Sequence, residues 1–164
     1  MKGTWTARAL IAGLLLTAGV AAADWIVVVV HPGNPVTDLS KDELRRFYQG
    51  KVSAFPDGRR VLLGVHSKLS ERFYDAVLGM SANQFRKHWI KEVFSGSAAA
   101  PPEPLRSDET LLEFVAGNPG AIAFVNASAV NGRVKVITVG GAAPGDRGYP
   151  RAMDDGEKSE EPVQ

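Results

Sequence analysis

The chain contains no cysteine. No disulfide can staple it in an oxidising compartment, and no thiolate can attack a substrate or ligate a metal. Histidine is scarce as well: His31, His66 and His88 are the only three, far apart in sequence. A zinc site would need carboxylates at positions no motif specifies, so these read as isolated surface histidines and no metal is expected. Also absent are a Gly-x-Ser-x-Gly elbow, a Walker loop and a Gly-x-Gly-x-x-Gly turn. Ser67 and His66 are neighbours, but adjacent strand residues point to opposite faces and cannot form a nucleophile–base pair. The carboxylate pairs Asp42/Glu43 and Asp108/Glu109 stand at helix starts, where they complement the helix dipole. These absences disfavour an enzyme and leave no cofactor to expect. No internal repeat is present, and the chain lacks an excess of charge of either sign, its formal net charge being +1.

One long apolar run does occur, Ala9 to Val20, after a short basic start at Lys2 and Arg8 and before Ala21-Ala22-Ala23. This is the pattern of a secretory signal peptide over residues 1–23, its apolar part being shorter than a bilayer requires. Cleavage would release a periplasmic or secreted protein starting near Asp24, with no stable membrane insertion. At the other end, residues 140–164 are rich in Gly, Pro and acidic residues and lack apolar periodicity, which predicts a disordered acidic tail. Between them, residues 24–139 make one domain large enough for its own core. That part carries 14 basic and 12 acidic side chains. So faint an imbalance argues against a nucleic-acid partner.

Within the domain, "WIVVVV" (Trp25 to Val30) is an unbroken apolar run, as in a strand covered on both faces. Ser40 with Glu43 and Ser81 with Gln84 have the capping-box spacing, and Ser107 precedes two acids in a first turn. Helices are therefore predicted from each. "VLLGVH" reads as a second strand leading into a helix whose core face carries Phe73 and Val77. "AIAFV" and "RVKVITV" read as two more, joined by an Asn131-Gly132 hairpin turn. The order β-α-β-α-α-α-β-β points to a compact α/β domain.

The stretch "GVHSKLSERFYDAVLG", Gly64 to Gly79, joins the second strand to its helix. A strand ending at a helix N-terminus presents unpaired N–H groups and partial positive charge, a ready anion site. Ser67 and Ser70 could add hydroxyl donors, and Lys68 and Arg72 positive charge. The competing reading is a serine cap on an ordinary helix, with both cations solvated.

Taken in series, "VHPGNPVTDLSKDELRRFYQGKVSAFPDGR", "LLGVHSKLSERFYDAVLG", "FRKHWIKEVFSG" and "VAGNPGAIAFV" carry a resemblance across Val27 to Val139. The domain resembles the phosphate-binding, PstS-like substrate-binding proteins of ABC transporters, with the type II periplasmic binding protein fold. The resemblance implies a single compact lobe, a mostly parallel sheet with flanking helices, and a small oxyanion as ligand, phosphate above all. It places Ser67 and Ser70 on the anion-cradling turn, with Lys68 between them and Arg72 beyond. A transporter permease is the implied partner. Two departures stand out. The chain reads as starting at the crossover strand into the second lobe, without the first. And where relatives show a Ser-Gly-Thr helix start after an Arg, this chain has "HSKLSERF". The alternative is an interaction module that docks a sensor, a transporter component or a second copy of itself, signalled by an apolar patch between His31 and Leu39.

Overall fold

The computed structural model describes residues 25–97, 101–102, 104–146 and 148–150. The expectations for residues 1–23 and for the tail beyond Pro150 lie outside the described residues. The first strand, β1 (Ile26–Val30), is buried at every position, as its unbroken apolar run predicts. It pairs antiparallel on one side with β6 (Ala121–Asn126), Val28 opposite Phe124, and on the other with β7 (Lys135–Val136). A short β3 (Leu62–Leu63) runs parallel along the outer edge of β6, giving the order β3-β6-β1-β7. Two further parallel pairs flank this sheet: β2 (Asp38–Leu39) with β8 (Thr138–Val139), and β4 (Val65–His66) with β5 (Pro104–Leu105).

Among the described residues four α-helices cover the sheets: α1 (Lys41–Tyr48), α2 (Ser70–Phe73), α3 (Ala82–Phe94) and α4 (Asp108–Gly117). Three begin at the capping serines legible in the sequence. Ser40 Oγ accepts the Glu43 N–H at 3.1 Å while Glu43 returns to the Ser40 N–H at 2.9 Å. Ser81 with Gln84 repeats the arrangement, and Ser107 forms it with Thr110. Each such cap contributes about 1 kcal/mol. α2 passes directly into a π-helical turn, Tyr74–Leu78, ended by Gly79 at φ +64°. The wider turn keeps Phe73, Tyr74, Val77 and Leu78 all buried.

The core is aromatic where helices meet sheet. Phe73 stacks on Phe124 at 3.9 Å, and Tyr48 meets Phe73 edge-on at 4.8 Å. Trp89 Nε1 donates to the Tyr48 carbonyl at 3.0 Å, tying α3 to the end of α1. Each of these side chains contributes about 1.5–3 kcal/mol by leaving water.

The class is α/β with flanking helices, as expected, and three of the five strand pairings among the described residues are parallel. The central sheet itself is mixed. Asn131-Gly132 is not a hairpin turn, because β6 and β7 lie on opposite sides of β1 and never pair with each other. The stretch expected as one strand, "RVKVITV", splits between two sheets, as does "VLLGVH". A further correction concerns the boundary set at Gly140. Gly140 N–H donates to the Leu39 carbonyl at 2.8 Å, and Tyr149 is only 3% exposed. Composition missed this because a single buried aromatic can anchor an otherwise polar segment. Among the described residues no helix is long and apolar enough to cross a membrane.

Candidate functional site

The chain crosses from the central sheet to the small β4–β5 sheet at Gly64. A Cβ there would lie 2.8 Å from Ala123 Cβ and Leu111 Cδ2, so glycine lets the strand pass between β6 and α4. Gly64 N–H donates to Ile122 and its carbonyl accepts the Tyr48 hydroxyl at 3.1 Å. β4 follows, and at its C-terminal end stand the four residues singled out from the sequence. Open α/β sheets bind ligands at such strand ends.

Ser67, Lys68 and Arg72 are exposed and Ser70 is half-buried. Neither Lys68 nor Arg72 is in an ion pair among the described residues. The backbone is partly committed. Ser67 N–H donates to the Leu105 carbonyl at 2.9 Å, extending the β4–β5 ladder, and Leu69 N–H to the His66 carbonyl at 3.2 Å. Lys68 N–H donates to His66 Nδ1 at 3.1 Å. The donors immediately after Ser67 are therefore spoken for. The N–H groups of Ser70, Glu71 and Arg72, the first turn of α2, take no acceptor among the described residues.

No serine caps this helix. The residue at the cap position is Leu69, without a side-chain bond, and Ser70 Oγ instead donates to the Ser67 carbonyl at 3.2 Å. The simple alternative of a serine-capped helix is thus excluded by geometry. One feature opposes an anion here: Glu71 puts a carboxylate in the same first turn. Beyond Ser70 the joint opens on an apolar cavity of about 430 Å³, walled by Tyr74, Phe85, Trp89, Phe94 and Pro102.

His66 corrects the expectation of three surface histidines. It is 3% exposed, its Nδ1 taken by Lys68 N–H and its Nε2 3.5 Å from Asp108 Oδ1. Asp108 is held in turn by Asn126, whose backbone N–H donates to Oδ1 at 2.9 Å and whose side-chain amide donates to Oδ2 at 2.8 Å. Burial pushes the His66 imidazole below its ordinary range, with Lys68 acting the same way, against the pull of the Asp108 carboxylate. Both ring nitrogens face partners, which leaves none to activate the Ser67 hydroxyl. Local sequence carries no signal for this network, because His66 and Asp108 lie far apart in the chain and meet only where α4 packs beside β4.

The apolar patch sought between His31 and Leu39 is not there. Among the described residues the large exposed hydrophobics are Ile90, 51% exposed, and Phe94, 88% exposed, both on α3. No group of three or more candidate metal ligands occurs among the described residues.

No family model matches the chain. Over 139 residues, 84% of this chain and 41% of the relative, it is 27% identical to the phosphate-binding protein PstS of Bacillus subtilis (strain 168). Among solved structures, a chain from Clostridium perfringens assigned as a phosphate ABC transporter substrate-binding protein, with phosphate bound, matches with a TM-score of 0.60. The identity is 20%, over 73% of this chain and 46% of that one. PstS from Borrelia burgdorferi matches with a TM-score of 0.57 at 11% identity, over 74% and 49% of the two chains. The chain spans less than half the length of these relatives. At such identities the structural matches speak for the fold, that of the PstS-like substrate-binding proteins, and the sequence match for a PstS-like segment.

Proposed function

We propose that this chain is an exported binding domain for a small oxyanion, phosphate first among them. The observation that carries the reading is the first turn of α2: among the described residues, its three N–H groups have no acceptor and the two flanking cations no ion pair. An anion seated there would accept from Ser70, Glu71 and Arg72 N–H, with the Arg72 guanidinium closing on it and Lys68 adding charge. Ser67 is exposed at the same joint, where the Ser70 hydroxyl donates to its carbonyl. The match to a phosphate-binding protein over most of the chain supports phosphate as the first ligand to test. Binding is non-covalent and needs no cofactor. Residues 1–23 would direct export as a signal peptide, and a transporter permease is the partner class that fits such a cargo.

The exposed joint leaves solvent in contact with the ligand, so the affinity should be modest, with a Kd on the order of millimolar. Calorimetry and thermal shift with inorganic phosphate and sulfate on the mature chain test this. Heat and a shift that weaken about fivefold in Arg72→Ala support it, as expected for one exposed charge-assisted contact of about 1 kcal/mol. No heat and no shift at ten millimolar of either anion would sink it.

A further inference from the structure

His66 stands outside the anion-contacting set, yet it is the group that determines where the joint's backbone donors point. A backbone N–H can only donate, so His66 Nδ1, 3.1 Å from Lys68 N, must carry a lone pair. The ring is then neutral with its proton on Nε2, directed at Asp108 Oδ1, 3.5 Å away. The carbonyl of the same residue takes the Leu69 N–H at 3.2 Å. One residue thus turns two consecutive N–H groups inward, so the unpartnered donors begin at Ser70. Asp108 is itself fixed by two bonds from Asn126 at the end of β6. The chain of contacts runs from the joint through His66 and α4 into the central sheet.

We infer that His66 is a protonation-sensitive latch: neutral, it holds the Ser67–Leu69 backbone in the arrangement that frees the first turn of α2, and protonated, it lets that backbone go. Imidazolium has no lone pair, so Nδ1 becomes a second donor facing the Lys68 N–H, and the bond turns into a repulsion. The charged groups that act on the ring are Asp108 from α4 and Lys68 from the joint; β5, packed against β4, sets apolar Leu105 opposite it. A proton on His66 is balanced by the Asp108 carboxylate, so it adds little attraction for an anion while removing the acceptor that shapes the joint. The loss of geometry therefore prevails over the gain of charge.

The latch concerns the free chain; its effect on ligand rests on the anion reading above. The test is nuclear magnetic resonance on the isotope-labelled mature chain, recording His66 ring nitrogens and the Lys68 and Leu69 amides from pH 8 to 4.5. The expected result is the Nε2–H form at pH 8, and Lys68 and Leu69 amides that move with His66 at one shared midpoint below 6.5. A ring protonated on Nδ1, a ring neutral to pH 4.5, or amides indifferent to its titration would each overturn the latch. Two variants separate shape from folding, both checked first by circular dichroism. His66→Asn keeps an acceptor near the Nδ1 position and should hold the Lys68 amide in place at all pH values, whereas His66→Gln should not. Identical behaviour of the two also overturns it. Sulfate, a dianion throughout this range, is the ligand probe. Its affinity should fall about tenfold one pH unit below the His66 midpoint, and constant affinity would count against the latch. If sulfate and phosphate bind at no pH, the anion reading fails, while the amide titration still decides the latch.

Discussion

Tyr149 reaches back across 121 residues to Val28: its buried hydroxyl accepts the Val28 N–H at 2.8 Å and donates to the Ile137 carbonyl at 3.2 Å. The phenol takes the place of a strand at the end of β7, where the ladder to β1 runs out. Burial pushes its pKa up to about 12, against the Val28 bond, which favours the anion. The residue therefore works as a neutral donor and acceptor at every ordinary pH.

Tyr149→Phe keeps the ring and removes the bridge, leaving the Val28 N–H without a partner in the core. An unsatisfied buried donor costs about 1–3 kcal/mol, so the urea midpoint should fall by that equivalent. Deleting the chain from Gly148 onward should cost more, because the packed ring goes too. An unchanged midpoint in both would show that the segment does not hold β1 in solution.

Gly120 opens β6 against the turn that precedes β3. A Cβ on it would stand 2.0 Å from the Arg60 carbonyl oxygen, and Leu62 N–H donates to the Gly120 carbonyl at 2.9 Å. Gly120→Ala should therefore separate β3 from β6 at a cost of more than about 3 kcal/mol, near the severe end for single substitutions. Gly117→Ala is the control. Nothing lies within 4 Å of its Cβ, and chemical denaturation should show it neutral or slightly stabilising.

Glu71 is the carboxylate in the first turn of α2, beside the donors proposed for the anion. Glu71→Gln removes that repulsion, and phosphate affinity by calorimetry should rise about threefold at low salt. The gain should shrink as salt is added, since exposed charges are screened over about 10 Å at 0.1 M. Weaker binding in the variant would mean that the anion sits elsewhere.

The burial of neutral His66 also sets an acid sensitivity. Its folded pKa lies below the unfolded value of 6.5, so the unfolded chain binds more protons in the interval between them. Stability from this residue is complete above 6.5 and is lost as pH falls from there toward the folded pKa. Denaturation midpoints should drop between pH 7 and 5.5 in the parent chain and stay flatter in His66→Asn. An equal slope in both would remove His66 as the source.

Local determinants of this fold are legible in the sequence; distant ones are not. Ser40, Ser81 and Ser107 cap the helices predicted from them, because a cap depends on three or four neighbouring residues. The apolar run at Ile26–Val30 is buried throughout, but its antiparallel pairing with both β6 and β7 is not legible in the local pattern, since both partners lie far along the chain. Asn131-Gly132 has hairpin composition; long-range pairing of both flanks with β1 overrides it. At the joint, Lys68 and Arg72 have the exposure expected of them. The committed N–H groups of Lys68 and Leu69 were not foreseeable, because they depend on a histidine held in place by Asp108 from a later helix.

β1 has one more implication. Among the described residues, the groups that hydrogen-bond β1, in β6, β7, Ile137 and the Tyr149 hydroxyl, come from residue 122 or later. During synthesis Ile26–Val30 emerges well before the segments that complete the sheet around it. Until those segments arrive, the five-residue apolar strand has both edges open, the condition under which strands pair with the wrong neighbour. Closing such distant contacts also slows folding. The sheet around β1 therefore cannot close until residues 122–149 have been made.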